Sequence, residues 1–455
     1  MKYKKLLALG LAGVMALAAC GSDGDSASDA TDAAAGDTET TAAGDTATTA
    51  AGDTETTPAS TGSGDGGTIR LWLNGEDTKQ ELVDYAIAEF NKIHPDVTVQ
   101  FERQQWTGLV EKLTTALSSN DSPDVVELGN TQAQAFEAAG ALSDLTEHKD
   151  ALGGEDLLQS LVEAGTYDGR FYGVPYYAGA RIVVYRTDLL EEAGLTVPTT
   201  LDEFVQTGIA LKEANADTPN FSGIYFPGKY WFAALPFIWQ AGGDIAVKDG
   251  ESWAGMLASD ESIAGLEQVK TIMDQASGAP KDGDESKDYI AFCNGEIGML
   301  MAPGWKIGQI LNEDDGCPEM ADKIGAFALP GGTAGETAPV FLGGSNLAVS
   351  AKSENQDLAL DLIKIMVGAG YQEQFASAGT IPALKSLLGQ VNGDDAAKAQ
   401  ATAATNSRFV PSSENWAGIE ASTVLPDMLV AIAQGGDVAS EAQKANDAIV
   451  SQLNG

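Results

Sequence analysis

Seven tryptophans and eleven tyrosines share a 455-residue chain with only two histidines, and that imbalance narrows what its side chains can do. His94 and His148 lie far from each other, no G-x-S-x-G turn presents a serine, and no Gly-rich phosphate loop occurs. A histidine-based triad or metal centre is therefore not expected, and neither is a cofactor. The aromatics suggest contact chemistry instead. Tyr225-Phe226 and Gly228-Lys229-Tyr230-Trp231-Phe232 form a cluster, Trp305 follows the Pro303-Gly304 turn, and Trp416 sits within Glu414-Asn415-Trp416-Ala417-Gly418. Polar partners are Glu76, Asp77, Asn130 and Gln132, each just beyond an apolar run, with Trp106 after Gln104-Gln105 and Arg181 farther on. Flat apolar faces rimmed by carboxylates, amides and a guanidinium hold a hydroxyl-rich ring or an organic cation without covalent chemistry. Paired carboxylates also cleave glycosidic bonds, and with 66 acidic residues composition alone does not exclude that. Trp72, Trp239 and most of the phenylalanines are expected in the core.

The elements that must position these groups follow from hydrophobic periodicity. Ile69 to Leu73 is a short apolar strand ended by Asn74-Gly75. Leu82, Ala86, Phe90 and Ile93 fall three to four apart, the face of a helix that stops before Pro95. Val97, Val99 and Phe101 alternate as a strand, and Trp106, Leu109, Val110, Leu113, Ala116 and Leu117 predict a second helix. Asp124 to Leu128 is a third strand, ended by Gly129-Asn130. This β-α-β-α-β run with short loops predicts an α/β fold with a parallel sheet and right-handed crossovers. Ligands of such sheets sit beyond the carboxyl ends of the strands, which singles out the loops Asn74–Thr78 and Gly129–Ala133.

The first twenty residues predict an address label. Lys2, Lys4 and Lys5 precede the apolar stretch Leu6–Ala16, which closes in Leu17-Ala18-Ala19-Cys20. The run is too short for a stable membrane span and fits a secretory signal. Residues 21–67 hold no Lys, Arg, aromatic, Leu, Ile or Val, and an eight-residue unit recurs from Ala35, Ala43 and Ala51. Such a segment has no apolar face to bury and is expected to be a disordered tether. Ten acids in the tether and three lysines in the signal leave 56 acids against 23 bases, a net −33, on residues 68–455. That charge argues against nucleic acid or an anionic lipid surface as partner. Cys293 and Cys317 are the remaining cysteines. Outside the cytoplasm they form either a disulfide or two buried free thiols.

Across residues 68–455 the motifs, taken in order, resemble the extracellular solute-binding proteins of ABC importers, in the sugar-binding group that includes maltodextrin-binding protein. The markers are Leu71-Trp72-Leu73-Asn74-Gly75, Ser122-Pro123-Asp124-Val125-Val126 and Gly140-Ala141-Leu142-Ser143-Asp144-Leu145. Tyr172-Gly173-Val174-Pro175 then leads to Val184-Tyr185-Arg186-Thr187-Asp188, where the family usually has Asn in place of Arg186. Phe292-Cys293-Asn294-Gly295-Glu296-Ile297-Gly298-Met299 ends in Pro303-Gly304-Trp305, followed by Gly343-Gly344-Ser345-Asn346 and Ile381-Pro382-Ala383. The cysteine in Leu17-Ala18-Ala19-Cys20 resembles the lipobox of lipoproteins, which implies lipidation of Cys20 and an extracytoplasmic, membrane-anchored protein.

The resemblance implies a two-lobe periplasmic-binding-protein-like fold of type II, with an interlobe ligand cleft and three crossing segments near Tyr177, Val340 and Thr380. Lobe 1 would hold 68–177 and 341–380, and lobe 2 would hold 178–340 and 381–455. Glycines 179, 343, 344 and 379 suit the hinge or its tight crossings. Tyr230, Trp231, Trp305 and Trp416 are placed in lobe 2 as stacking faces, and Gly344 near the cleft. The function implied is capture of a carbohydrate, an oligosaccharide, by a monomer that closes on it and delivers it to a permease and ATPase on separate chains. A cationic solute such as a polyamine or betaine, a secreted glycosidase, and a surface adhesin or sensor are the alternatives.

Overall fold

Residues 67–455 are described by the computed structural model; the expected signal, the tether and Cys20 lie outside the described residues. Strand β1 (Thr68–Asn74) buries Ile69, Leu71, Trp72 and Leu73, as a strand covered on both faces must. It pairs in parallel with β2 (Thr98–Gln104) on one side and β3 (Val125–Gly129) on the other. Helix α1 (Gln80–Ile93) buries Leu82, Val83, Ala86 and Phe90, which removes about 2 kcal/mol of unfavourable apolar exposure for each large side chain. Ile93, expected on that face, is 60% exposed, because the helix ends there against Pro95. Helix α2 (Leu109–Ser118) starts later than the periodicity suggests. Gly108 turns left-handed at φ 71°, leaving Trp106 outside the helix, and Val110 faces solvent.

After the helix α3 (Ala133–Ala138), two hairpins stand apart from the main sheet: β4 (Thr166–Tyr167) with β5 (Arg170–Phe171), and β8 (Ala246–Asp249) with β9 (Ser252–Gly255). The main sheet is completed by β6 (Val174–Arg186), β7 (Ser222–Tyr225), β10 (Ile297–Pro303), β11 (Ile324–Phe327), β12 (Val340–Val349), β13 (Ile381–Pro382) and β14 (Ser407–Arg408). Its order is β2-β1-β3-β12-β6-β10-β7, with β11 and β13 also on β6 and β14 on β12.

Two large hydrophobic cores share this sheet. The first gathers Leu71, Phe90, Val174, Tyr176, Leu347, Ile363 and Phe375; the second gathers Ala180, Ile182, Phe204, Phe237, Met299, Leu342 and Trp416. On β6 the change falls between Tyr177 and Ala178, and on β12 between Leu342 and Leu347. Both strands therefore run from one core into the other. The apolar stretch Trp416–Ala433 is no single rod: Thr423 breaks it at φ 61°, and Leu425, Met428, Leu429 and Ile432 are buried in the second core.

Cys293 and Cys317 are joined as a disulfide, with Cα atoms 5.6 Å apart and a sequence separation of 24. Closing a loop of that length restricts the unfolded chain by about 3 kcal/mol. Paired Cys293→Ser and Cys317→Ser substitutions should lower unfolding stability by about that amount in a denaturant titration.

Glu137 on α3 is buried, and neither of its carboxylate oxygens has a hydrogen-bond partner. Burial pushes its pKa up to about 8. The folded chain thus keeps a proton that the unfolded chain releases near 4.5, so this group's stabilising contribution is complete below 4.5 and lost as pH rises towards 8. Glu137→Gln should match the wild type in melting temperature at pH 4.5 and exceed it by a margin that widens up to pH 8.

Candidate functional site

Along β6, alternate residues face opposite ways, so Tyr177, Gly179 and Arg181 share one face. Ala178 and Ala180, on the other face, are buried, whereas Gly179 and Arg181 are partly open. A Cβ placed on Gly179 would meet no atom within 4 Å. Opposite it on β12 stands Gly343, also partly open. The strand pair therefore offers a floor with little side chain above it, along the stretch where both strands pass from one core to the other. Tyr177 is in register with Ser345 and Ser345 with Gly129, while Arg181 is in register with Pro303. At strand spacing the floor from Tyr177 to Arg181 is about 13 Å long.

The wall at the Gly129 end is built on two glycines. Trp106 lies over the carboxyl ends of β1 and β3: a Cβ on Gly75 would come within 2.7 Å of its Nε1, and one on Gly129 within 3.6 Å of its ring. Its indole N–H donates to Asp77 Oδ2 at 2.8 Å, which fixes the ring while leaving it 38% exposed. Gln132 presents a buried Oε1 without a partner at the same edge, 3.2 Å from the position of that Gly129 Cβ. Glu76 is exposed, 3.7 Å from Arg103, and Arg103 also donates to the carbonyls of Gly75 and Thr78. Asn130 is different. It is buried, and its amide donates to the Leu342 carbonyl at 2.9 Å, so it braces β12 rather than lining the space.

At the Pro303 end Trp305 stands 65% exposed on its Pro-Gly turn. Lys306 Nζ lies 4.8 Å from the Trp305 ring centre and 2.8 Å from Asp288, in a pair that is almost wholly buried. Burial raises the Asp288 pKa, and the Lys306 ammonium pulls it back down. Arg181 is held on three sides: by Glu285 at 2.8 Å and by the rings of Tyr230 and Phe232 at 5.2 and 5.3 Å. Tyr230 is buried beneath it and donates to the Met301 carbonyl; burial keeps its hydroxyl protonated far above the ordinary range.

Like Asn130 and Tyr230, Trp416, Trp231 and Gly344 take other roles here. Trp416 is 1% exposed, packed 6.4 Å from Trp231, and its indole N–H has no partner, so it backs the wall instead of presenting a face. Trp231 is itself buried, stacked on Phe232 at 3.6 Å between ring centres. Gly344, at φ 147°, has no room for a side chain, since a Cβ would lie 2.3 Å from the Tyr177 carbonyl; it serves the close approach of β12 to β6. Spacing along the chain does not point to Glu285, Lys306 or Asp288, whose roles arise only from distant pairing. Nor does it point to Glu420, whose pKa burial raises and a hydrogen bond with Thr131 lowers.

A cavity of about 1560 Å³ lies elsewhere. It is a groove between Tyr167 and Glu163 on one side and Trp253, Arg408 and Glu414 on the other, and it includes none of Trp106, Arg181 or Trp305. The open strand floor, with an exposed indole at each end, is chemically the better site. Among the described residues, no three His, Cys, Asp or Glu side chains gather as a metal site.

Residues 74–373 match the family described as bacterial extracellular solute-binding protein. The chain is 33% identical over 426 residues to the diacetylchitobiose binding protein DasA of Streptomyces coelicolor, covering 92% of this chain and 91% of that one. It is 22% identical over 310 residues to the arabinooligosaccharide-binding protein of Halalkalibacterium halodurans, covering 66% of this chain and 67% of that one. In fold it matches the sugar-binding protein MalE of Xanthomonas citri, with a TM-score of 0.73 and 24% identity over 85% of this chain and 97% of that one. The GacH receptor of Streptomyces glaucescens matches with a TM-score of 0.68 and 22% identity, over 85% and 98%. The two cores are the lobes of a two-lobe α/β solute-binding fold, and the chain belongs to the bacterial extracellular solute-binding protein family.

Proposed function

We propose that this protein captures an oligosaccharide between its lobes and delivers it to an ABC permease, with diacetylchitobiose as the first ligand to try. The supporting observation is the Trp106 indole, clamped over Gly75 and Gly129 with its N–H held by Asp77, at one end of a floor whose other end carries Trp305. An exposed indole at each end of the floor suits pyranose rings of one oligosaccharide, whose C–H faces stack on aromatics. Glu76, Gln132 and Arg181 would meet the hydroxyls at the rim, with Tyr230, Trp231 and Trp416 as backing. The 33% identical relative, aligned over nearly the whole chain, bears the name of a diacetylchitobiose binder, which supports the same ligand class.

A cationic solute fits this arrangement less well. Lys306 already lies 4.8 Å from the exposed Trp305 ring, and Arg181 occupies the Tyr230 and Phe232 faces, so an ammonium ligand would meet like charge where it needs an open ring. Catalysis has little support as well, because Asp77 is engaged by Trp106 and Glu285 by Arg181. In this reading lobe 1 is 68–177 with 341–380, lobe 2 is 178–340 with 381–455, and the protein works as a monomer anchored to the outer face of the membrane through lipidated Cys20. Ligand contacts to both lobes stabilise the closed form by differential affinity.

Calorimetric titration against diacetylchitobiose, maltodextrins, arabino-oligosaccharides, polyamines and betaines tests the ligand class. Saturable heat with one carbohydrate class is expected; binding confined to the cations overturns the reading. Trp106→Ala and Trp305→Ala should each weaken carbohydrate affinity about tenfold, equivalent to about 1.4 kcal/mol, with melting temperatures near wild type. Unchanged affinity in both variants would show that the indoles are not the stacking faces.

A further inference from the structure

Beneath the wall that carries Trp106 lies a buried carboxylate that the capture scheme leaves without a role. Glu127 on β3 is 1% exposed. Its Oε2 accepts the Asn74 backbone N–H at 2.7 Å, and its own carbonyl accepts the Asn74 side-chain amide at 2.9 Å. Asn74 ends β1 and opens the turn that holds Gly75, Asp77 and Thr78. Two residues along β3 from Glu127, Gly129 is in register with Ser345 on β12, and Ser345 with Tyr177 on β6, at the place where both strands leave the first core. Thr78, at the far end of the turn, is bonded at 3.0 Å to the Tyr176 hydroxyl, which is bonded in turn at 2.7 Å to that of Tyr371. One carboxylate thus holds the binding turn, on a strand that pairs with β12 and through it adjoins β6.

We propose that Glu127 is a positioning residue for ligand capture, fixing the Asn74–Thr78 turn, and with it Asp77 and Trp106, to the two strands that join the lobes. As a statement about capture this rests on the carbohydrate reading; as a statement about the turn it does not. Hydrogen bonds to a charged acceptor are shorter and roughly twice as strong as neutral ones, so the turn is held best when Glu127 is ionised. Burial raises its pKa to about 7, against the pull of Ser345, the Asn74 N–H and Tyr177. The other titratable groups facing it are Asp77 from the turn, which raises it further, Tyr176 on β6 and Tyr371 on the helix Ala369–Ser377. The three tyrosines are held protonated well above this range, so Glu127 is the member of the network that changes charge near neutrality.

The first measurement needs no ligand. Hydrogen exchange of Asn74–Thr78 in the full chain, corrected for intrinsic pH dependence, should lose at least fivefold protection between pH 8.5 and 5.5. Glu127→Gln should be weakly protected at both values, while thermal unfolding confirms that it is folded. Diacetylchitobiose affinity should fall several-fold over the same range in wild type and stay flat in Glu127→Gln. A turn whose protection ignores pH, or whose pH profile survives in Glu127→Gln, overturns the proposal. Failure of every carbohydrate to bind would instead strike the functional reading and leave the exchange result to stand on its own.

Discussion

Pairing between β6 and β12 is the constraint on which the two-lobe arrangement rests. The strands run antiparallel, with Leu342 opposite Ala180, Gly343 opposite Gly179 and Ser345 opposite Tyr177, and each contributes residues to both hydrophobic cores. Such a pair resists stretching and sliding, because either motion breaks a whole ladder of hydrogen bonds, yet it tolerates twist. The glycines sharpen that property. Without side chains at 179 and 343 there is little packing above the ladder, and Gly344 lets the two backbones approach more closely than any other residue permits. A molecule lying on this floor touches a place where both lobes are within reach, so its contacts bias their relative position.

Charge is distributed to match. The 68–455 portion carries a net −33, yet the second-lobe side of the floor is supplied with cations, each locked to a partner. Arg181 is paired with Glu285 and Lys306 with Asp288. A buried ion pair such as Lys306–Asp288 adds little net stability, since desolvation offsets most of the attraction, but it fixes geometry because either charge alone would be strongly unfavourable. What it fixes here is the turn that carries Trp305. The platform is exposed, the support beneath it is rigid, and no unpaired formal charge is offered to a ligand by these two pairs.

Much of the scaffold is legible from periodicity, and the site much less so. β1, β3 and α1 appear where the apolar spacing places them, because each buries a face against its sequence neighbours and the local pattern decides the outcome. Trp106 shows the limit. Its spacing to Leu109 and Leu113 reads as a helix face, but Gly108 adopts φ 71° and starts the helix three residues later, freeing the indole to cross two strand ends. Trp416 departs in the opposite sense: its polar sequence context suggests an open face, whereas packing against Trp231, far away in the chain, buries it. Asn130 and Gly344 stand out in the sequence as special positions, and in the structure Asn130 braces β12 while Gly344 permits its close approach to β6. Whether a polar or glycine residue serves a ligand or a strand crossing depends on a partner that spacing does not identify.

Partnerless buried polar atoms complete the contrast between scaffold and site. Native interiors leave few such atoms, and those that persist ask for a reason. Here Asn74 Oδ1, Glu127 Oε1, Gln132 Oε1 and Asn346 Oδ1 lack partners, and all four belong to β1, β3, β12 or the loop leaving β3. The same residues are otherwise firmly held: the Asn346 amide donates to the carbonyls of Leu161 and Gly173, and Asn74 and Glu127 bind each other through two hydrogen bonds. A well-packed apolar set would stabilise these strand ends more simply. Retaining a polar network there, with its acceptors incompletely satisfied, gives up stability for an orientation that hydrophobic contact alone does not specify. The Asn74 end of this network opens the turn whose Asp77 accepts the Trp106 indole N–H, so part of the incompletely satisfied polar set adjoins the candidate site.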